Sequence, residues 1–162
     1  MKKVGIIMGS DSDLPIARKA AETLATFDVP YEVHILSAHR TPAEPAEFAG
    51  TAVQNGFGVL IAAAGMAAHL AGAVAAHTIL PVIGIPCQSN TFSGIDALLS
   101  TVQMPSGIPV ATVAINGGVN AALLCAQILA VEDSSLAVKL DAKRAADASA
   151  VLAKDAEIAS KL

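Results

Sequence analysis

The chain has only two cysteines, Cys87 and Cys125. They stand too far apart for a metal clamp and are too few for a disulfide scaffold. No Cys and His grouping has zinc spacing either, so no metal is expected. Positive charge is also scarce: ten Lys and Arg against fourteen Asp and Glu leave a formal charge of -4. That composition gives no basic footprint for nucleic acid or for an anionic membrane surface. No apolar run reaches the ~20 residues of a membrane helix; Gly58, Gly65, Gly72, Pro81, Gly84, Pro86, Gln88 and Asn90 break the most apolar region. The amino terminus has no charged-apolar-cleavage pattern, which makes the reducing cytosol the expected compartment. Internal repeats and low-complexity linkers are missing too. A chain of 162 residues fits one domain with a sizeable core.

The most informative absence is local. Between Glu47 and Glu132 the only Asp, Glu, Lys or Arg is Asp96. A sheet buried on both faces explains apolar strands there, but uncharged helix faces on a monomer of this size would be poorly solvated. A homo-oligomer that buries much of this region is therefore expected.

Short apolar runs alternate with helical patterns. Lys3 to Met8, Tyr31 to Leu36, Val59 to Ala63, Val82 to Ile85 and Val110 to Ala114 read as strands. Between them, a helix opens at Asp13 and Pro15, and Thr41-Pro42-Ala43-Glu44 has a capping-box pattern that starts a second one running to about Asn55. Ala67 to Thr78, Gly94 to Val102 and Asn120 to Val131 read as further helices, with Ser93 and Asp96 spaced as another capping box. This alternation predicts an α/β fold with a parallel sheet of about five strands and helices on both faces. The tail from 134 to 162 turns charged and alanine-rich, with sparse apolar positions, and reads as a peripheral helix or an arm onto a neighbouring subunit.

In such a sheet, ligands bind beyond the carboxyl ends of the strands. Three segments fall there. Gly9-Ser10-Asp11-Ser12-Asp13 leads from a strand through glycine into a helix amino terminus, where free N-H groups and the helix dipole favour an anion. Ser10 and Ser12 add hydroxyl donors, while two carboxylates disfavour a polyphosphate and suit a single phosphate with a ribose hydroxyl on Asp13. Asp13 as a plain helix cap is the competing reading. Ser37-Ala38-His39-Arg40-Thr41-Pro42 pairs a proton shuttle with a guanidinium fork suited to phosphate. The third segment, Ala64-Gly65-Met66-Ala67-Ala68-His69, places a histidine at a helix start, where a hydrogen-bonded core role is the more ordinary one. His34 and His77 read as structural. Gln88 to Gly94 and Met104 to Pro109 supply polar groups for a pocket rim.

With these segments in hand, the chain resembles the class I 5-(carboxyamino)imidazole ribonucleotide mutases, the catalytic subunit family of phosphoribosylaminoimidazole carboxylase. The resemblance spans about residues 3 to 132 and rests on Met8-Gly9-Ser10-Asp11-Ser12-Asp13, Ser37-Ala38-His39-Arg40-Thr41-Pro42, Ala67-Ala68-His69-Leu70, Pro81-Val82-Ile83-Gly84, Val102-Gln103-Met104-Pro105 and Asn120-Ala121-Ala122-Leu123-Leu124. It implies a three-layer flavodoxin-like fold, a single catalytic domain over 1-162, a homo-octamer, and purine-biosynthesis chemistry with no cofactor. The resemblance also implies that Ser10, Asp13 and Arg40 hold the ribonucleotide, with His39 as general acid and base and His69 beside the substrate. Ser12 and Ser37 complete the expected binding set. This chain has Met66 where the family commonly has a second glycine, and Ala71 where it has proline. Arg40 and the Ala68-His69-Leu70 run separate it from the related class II carboxylases. That enzyme class and a non-catalytic nucleotide-binding module are the rival readings.

Overall fold

The computed structural model describes residues 1–161; Leu162, the last residue of the expected tail, lies outside them. The strands are β1 (Lys3–Met8), β2 (Tyr31–Ile35), β3 (Phe57–Gly65), β4 (Val82–Cys87) and β5 (Ala111–Thr112). The helices are α1 (Leu14–Thr26), α2 (Ala43–Thr51), α3 (Leu70–Ala75), α4 (Ile95–Val102), α5 (Gly118–Ala130) and α6 (Ser134–Ala159). A single 3-10 turn at Asp11–Asp13 precedes α1.

All strand pairs are parallel, in the order β2-β1-β3-β4-β5. This is the flavodoxin-like order, whose reversal point lies between β1 and β3. The alternation of side chains along each strand divides the core. Val4, Ile6, Val59, Ile61, Ile83 and Ile85 pack under α1, α5 and the start of α6. Ile7, Leu60, Ala62 and Val82 face α2 and α3, and α4 joins that layer through Thr101, whose methyl fills the space over Gly84. Each fully buried Ile or Leu contributes about 1.5–3 kcal/mol by leaving water, so the central strands carry most of the fold.

The expected helix from Ala67 is shorter in the structure, beginning at Leu70. Met66 (φ 56) and His69 (φ 56) both adopt left-handed backbone, which a helix cannot propagate. A glycine, which the resemblance implies at the Met66 position, would meet that conformation without steric cost. Neither expected capping box forms. The helix after Thr41 is entered through Pro42 with no side-chain cap, and α4 is entered through Gly94 (φ 92). Strand β5 is only Ala111–Thr112; Val113 still donates its N-H to the Gly84 carbonyl at 3.1 Å, and beyond it the chain bends toward the left-handed Asn116 (φ 59).

Candidate active site

β1 ends at Met8, and Gly9 carries the chain out of the sheet into the 3-10 turn. The Ser10 side chain accepts from the Ser12 N-H at 3.4 Å and so caps that turn. Asp13 makes no side-chain capping bond at the start of α1, and it is only 7% exposed. Its carboxyl is instead held inside the site. Burial, the largest influence, pushes it above the usual carboxylate range. Bonds from the Cys87 thiol and the Ser10 backbone pull it back down, and the neighbouring Asp11 charge pushes it up.

The loop after β2 closes on itself. Thr41 N-H donates to the Ser37 carbonyl at 2.8 Å, and the Thr41 hydroxyl accepts from the Ser37 N-H at 3.1 Å. The Ser37 hydroxyl accepts from both the N-H (3.2 Å) and the Nε (3.3 Å) of Arg40. Arg40 Nη2 then reaches across to donate to the Gly9 carbonyl at 2.7 Å. The guanidinium thus ties the β2 loop to the β1 loop while its remaining N-H groups stay exposed. His39, between these braced residues, is exposed.

Ser10, Ser12, Asp13, Ser37, His39 and Arg40 all line one cleft of about 690 Å³. Its other walls are Ala64, Gly65, Met66, Ala68 and Leu70 after β3 and Gln88, Ser89 and Asn90 after β4. An adjoining recess of about 390 Å³ shares Gly9, Ser10, Ser37 and Arg40, so the guanidinium fronts both spaces. His69 is not among the cleft-lining residues, although both of its neighbours are. Its Nδ1 lies 2.5 Å from the Ser100 carbonyl. A carbonyl can only accept, so Nδ1 carries the proton and Nε2 is left free. The ring lies over Gly72, where a Cβ would fall 2.1 Å from Nε2.

A larger cavity of about 960 Å³ lies at the opposite end of the sheet, among the residues that precede β4 and β5. His77 is its one titratable side chain, and parallel sheets do not bind ligands at that end. His34 pairs with Glu32 at 3.2 Å and tilts against Phe48, a structural role. Among the described residues no group of three or more His, Cys, Asp or Glu could hold a metal ion, and no helix is long and apolar enough to cross a membrane.

Sequence reading alone gives Asn116 no role. It accepts from the Gln88 N-H at 2.9 Å and donates from Nδ2 to Gln88 Oε1 at 3.2 Å. The available signal was an asparagine ahead of Gly117-Gly118, since Asn is one of the few residues that enters left-handed backbone readily.

Residues 3–150 match the family described as AIR carboxylase. The chain is 56% identical over 140 residues to the N5-carboxyaminoimidazole ribonucleotide mutase of Pyrococcus abyssi, covering 86% of this chain and 80% of that protein. It is 52% identical over 156 residues to the protein of the same name from Mycobacterium leprae, covering 96% and 91%. Among solved structures, Treponema denticola PurE superimposes with a TM-score of 0.85 at 32% identity, covering 95% of this chain and 96% of that one. The matched region holds the sheet and every residue of the cleft, and the chain belongs to the AIR carboxylase family.

Proposed function

We propose that the cleft between the β1, β2, β3 and β4 loops is the active site of an isomerase that acts in purine biosynthesis. The enzyme converts 5-(carboxyamino)imidazole ribonucleotide to 4-carboxy-5-aminoimidazole ribonucleotide. The mutase names of the relatives support this over the class II carboxylase and the non-catalytic module. The observation that carries the site assignment is the common cleft of His39, Arg40, Asp13 and Ser10, built from loops distant in sequence.

In this reading the phosphate lies at the corner of Ser10 and Arg40, where the guanidinium is already oriented by Ser37 and Gly9. Asp13 accepts from a ribose hydroxyl, and Ser12 and Ser37 complete the binding wall. Protonated His39 donates to the exocyclic nitrogen as the carbamate C-N bond breaks and carbon dioxide is released. The adjacent ring carbon then bonds to carbon dioxide, and His39 takes the proton which that carbon gives up. The proton count closes on one imidazole, so the reaction needs no cofactor. The apolar wall of Ala64, Gly65, Met66 and Ala68 keeps the neutral intermediate beside the ring, which supplies proximity and excludes water. His69, between Ala68 and Leu70 of that wall, is the second catalytic candidate.

The molecule is a cytoplasmic homo-octamer of one catalytic domain, with α6 as a peripheral helix or an arm onto a neighbouring subunit. Support comes from exposed apolar surface. Phe92, Ile95, Leu99 and Val102 are 63%, 51%, 52% and 46% exposed, and the last three form one stripe of α4.

An ultraviolet assay supplied with the carbamate nucleotide, without ATP or added bicarbonate, tests the activity. His39→Asn is expected to lose at least 100-fold in turnover, within the usual range for a general acid-base, while still binding nucleotide. Arg40→Ala is expected mainly to raise the substrate concentration required. Near-wild-type turnover by the His39 variant overturns the assignment.

A further inference from the structure

The wall of the cleft formed by Gln88, Ser89 and Asn90 has little to hold it. β4 ends at Cys87, α4 starts at Ile95, and Ser93 (φ 54) and Gly94 (φ 92) turn the chain between them. Ser89 reaches only Asp96, at a long 3.5 Å. The firm attachment comes from the loop after β5. The Asn116 backbone N-H donates to the Pro86 carbonyl at 2.9 Å, its Oδ1 accepts from the Gln88 N-H at 2.9 Å, and its Nδ2 donates to Gln88 Oε1 at 3.2 Å. The backbone there is left-handed, with φ 59. Asparagine meets the conformational demand and the bonding demand together, whereas glycine would meet only the first.

We propose that Asn116 is a positioning residue for the reaction. Its side-chain amide grips Gln88 at both backbone and side chain and so fixes the Gln88–Asn90 wall of the cleft that His39 and Arg40 share. The residue does not line the cleft and touches no reacting atom. It acts through Gln88, by keeping the pocket's shape constant while the nucleotide and carbon dioxide occupy it. The inference rests on the active-site reading above, and its test separates the two.

Asn116→Gly removes both side-chain bonds and leaves the left-handed backbone unstrained, so the protein should still fold, with the urea midpoint lowered only by the loss of those bonds and by glycine's freedom in the unfolded chain. Two hydrogen bonds of ordinary net strength correspond to a fall in kcat/KM of up to about thirtyfold. Hydrogen exchange over the peptide containing Gln88, read by mass spectrometry, should accelerate by a similar factor. Gln88→Ala should add little on top of Asn116→Gly, because the two act as one unit. Wild-type kcat/KM in Asn116→Gly, unchanged exchange at Gln88, or full additivity of the two substitutions would each overturn the proposal. His39→Asn is run in parallel. If it is inactive while Asn116→Gly is fully active, the positioning role fails and the site stands. If both are fully active, the site reading itself fails.

Discussion

At the scale of single residues, the cleft depends on a carboxylate held where water does not reach it well. Burial raises the Asp13 carboxyl above its unfolded value, so folding favours its protonated form. That contribution to stability is fully present below the unfolded value and is lost as pH rises through the folded one. At neutral pH an ionised Asp13 therefore costs stability. Asp13→Asn should raise the urea midpoint at pH 7, with the gain shrinking as pH falls through the acid range, and should weaken nucleotide binding throughout. Equal midpoints for the two proteins at pH 7 would show that the carboxylate is fully compensated. His39 and Arg40 were legible in the sequence because an imidazole and a guanidinium side by side after a strand have few structural uses. Ser37 was legible as a member of that loop, but its bonds to Arg40 were not. Asn116 was signalled only by its place ahead of Gly117-Gly118, since its meaning lies in a backbone sign and in a partner 28 positions away.

Elements were legible in proportion to how far burial dictates their residues. β1 stands where its apolar run placed it, and β4 begins where its run placed it and continues two residues further to Cys87, because a strand covered on both faces has no freedom to be polar. Boundaries moved where backbone geometry rather than hydropathy decides, as at α3, delayed by Met66 and His69. Close approach of two helices is equally hidden in sequence. α1 and α5 meet at Gly118, where a Cβ would lie 2.5 Å from the Ile16 carbonyl oxygen. Both contacting groups are backbone, so neither can rotate away. Gly118→Ala should therefore destabilise the protein by about 1–3 kcal/mol, the usual range for overpacking, measured by urea unfolding. Gly107→Ala provides the contrast. No atom lies within 4 Å of its Cβ position, and only its backbone strain at φ 101 would be felt.

At the scale of the whole molecule, the uncharged half of the sequence becomes a surface. The α4 stripe and Ile79, 94% exposed, are apolar groups that one subunit leaves in water. Light scattering should report an octamer at micromolar concentration. Leu99→Lys should shift the mass toward smaller species while leaving the circular dichroism of the fold unchanged. A stable wild-type monomer would refute the assembly. The sequence carried this expectation as a missing charge, but it could not say which helix face bears it.

Both cysteines of the chain are buried. Cys125 lies in α5 against the core, and Cys87 closes β4 beneath Asp13. Burial pushes both thiols far above their ordinary range, which leaves almost no thiolate to react at neutral pH. The native protein is therefore expected to resist alkylating reagents, with the thiols becoming modifiable only when the chain opens. The rate at which a thiol reagent consumes the two sulfurs is a clock for that opening, one thiol timing the floor of the cleft and the other the helix layer behind the sheet.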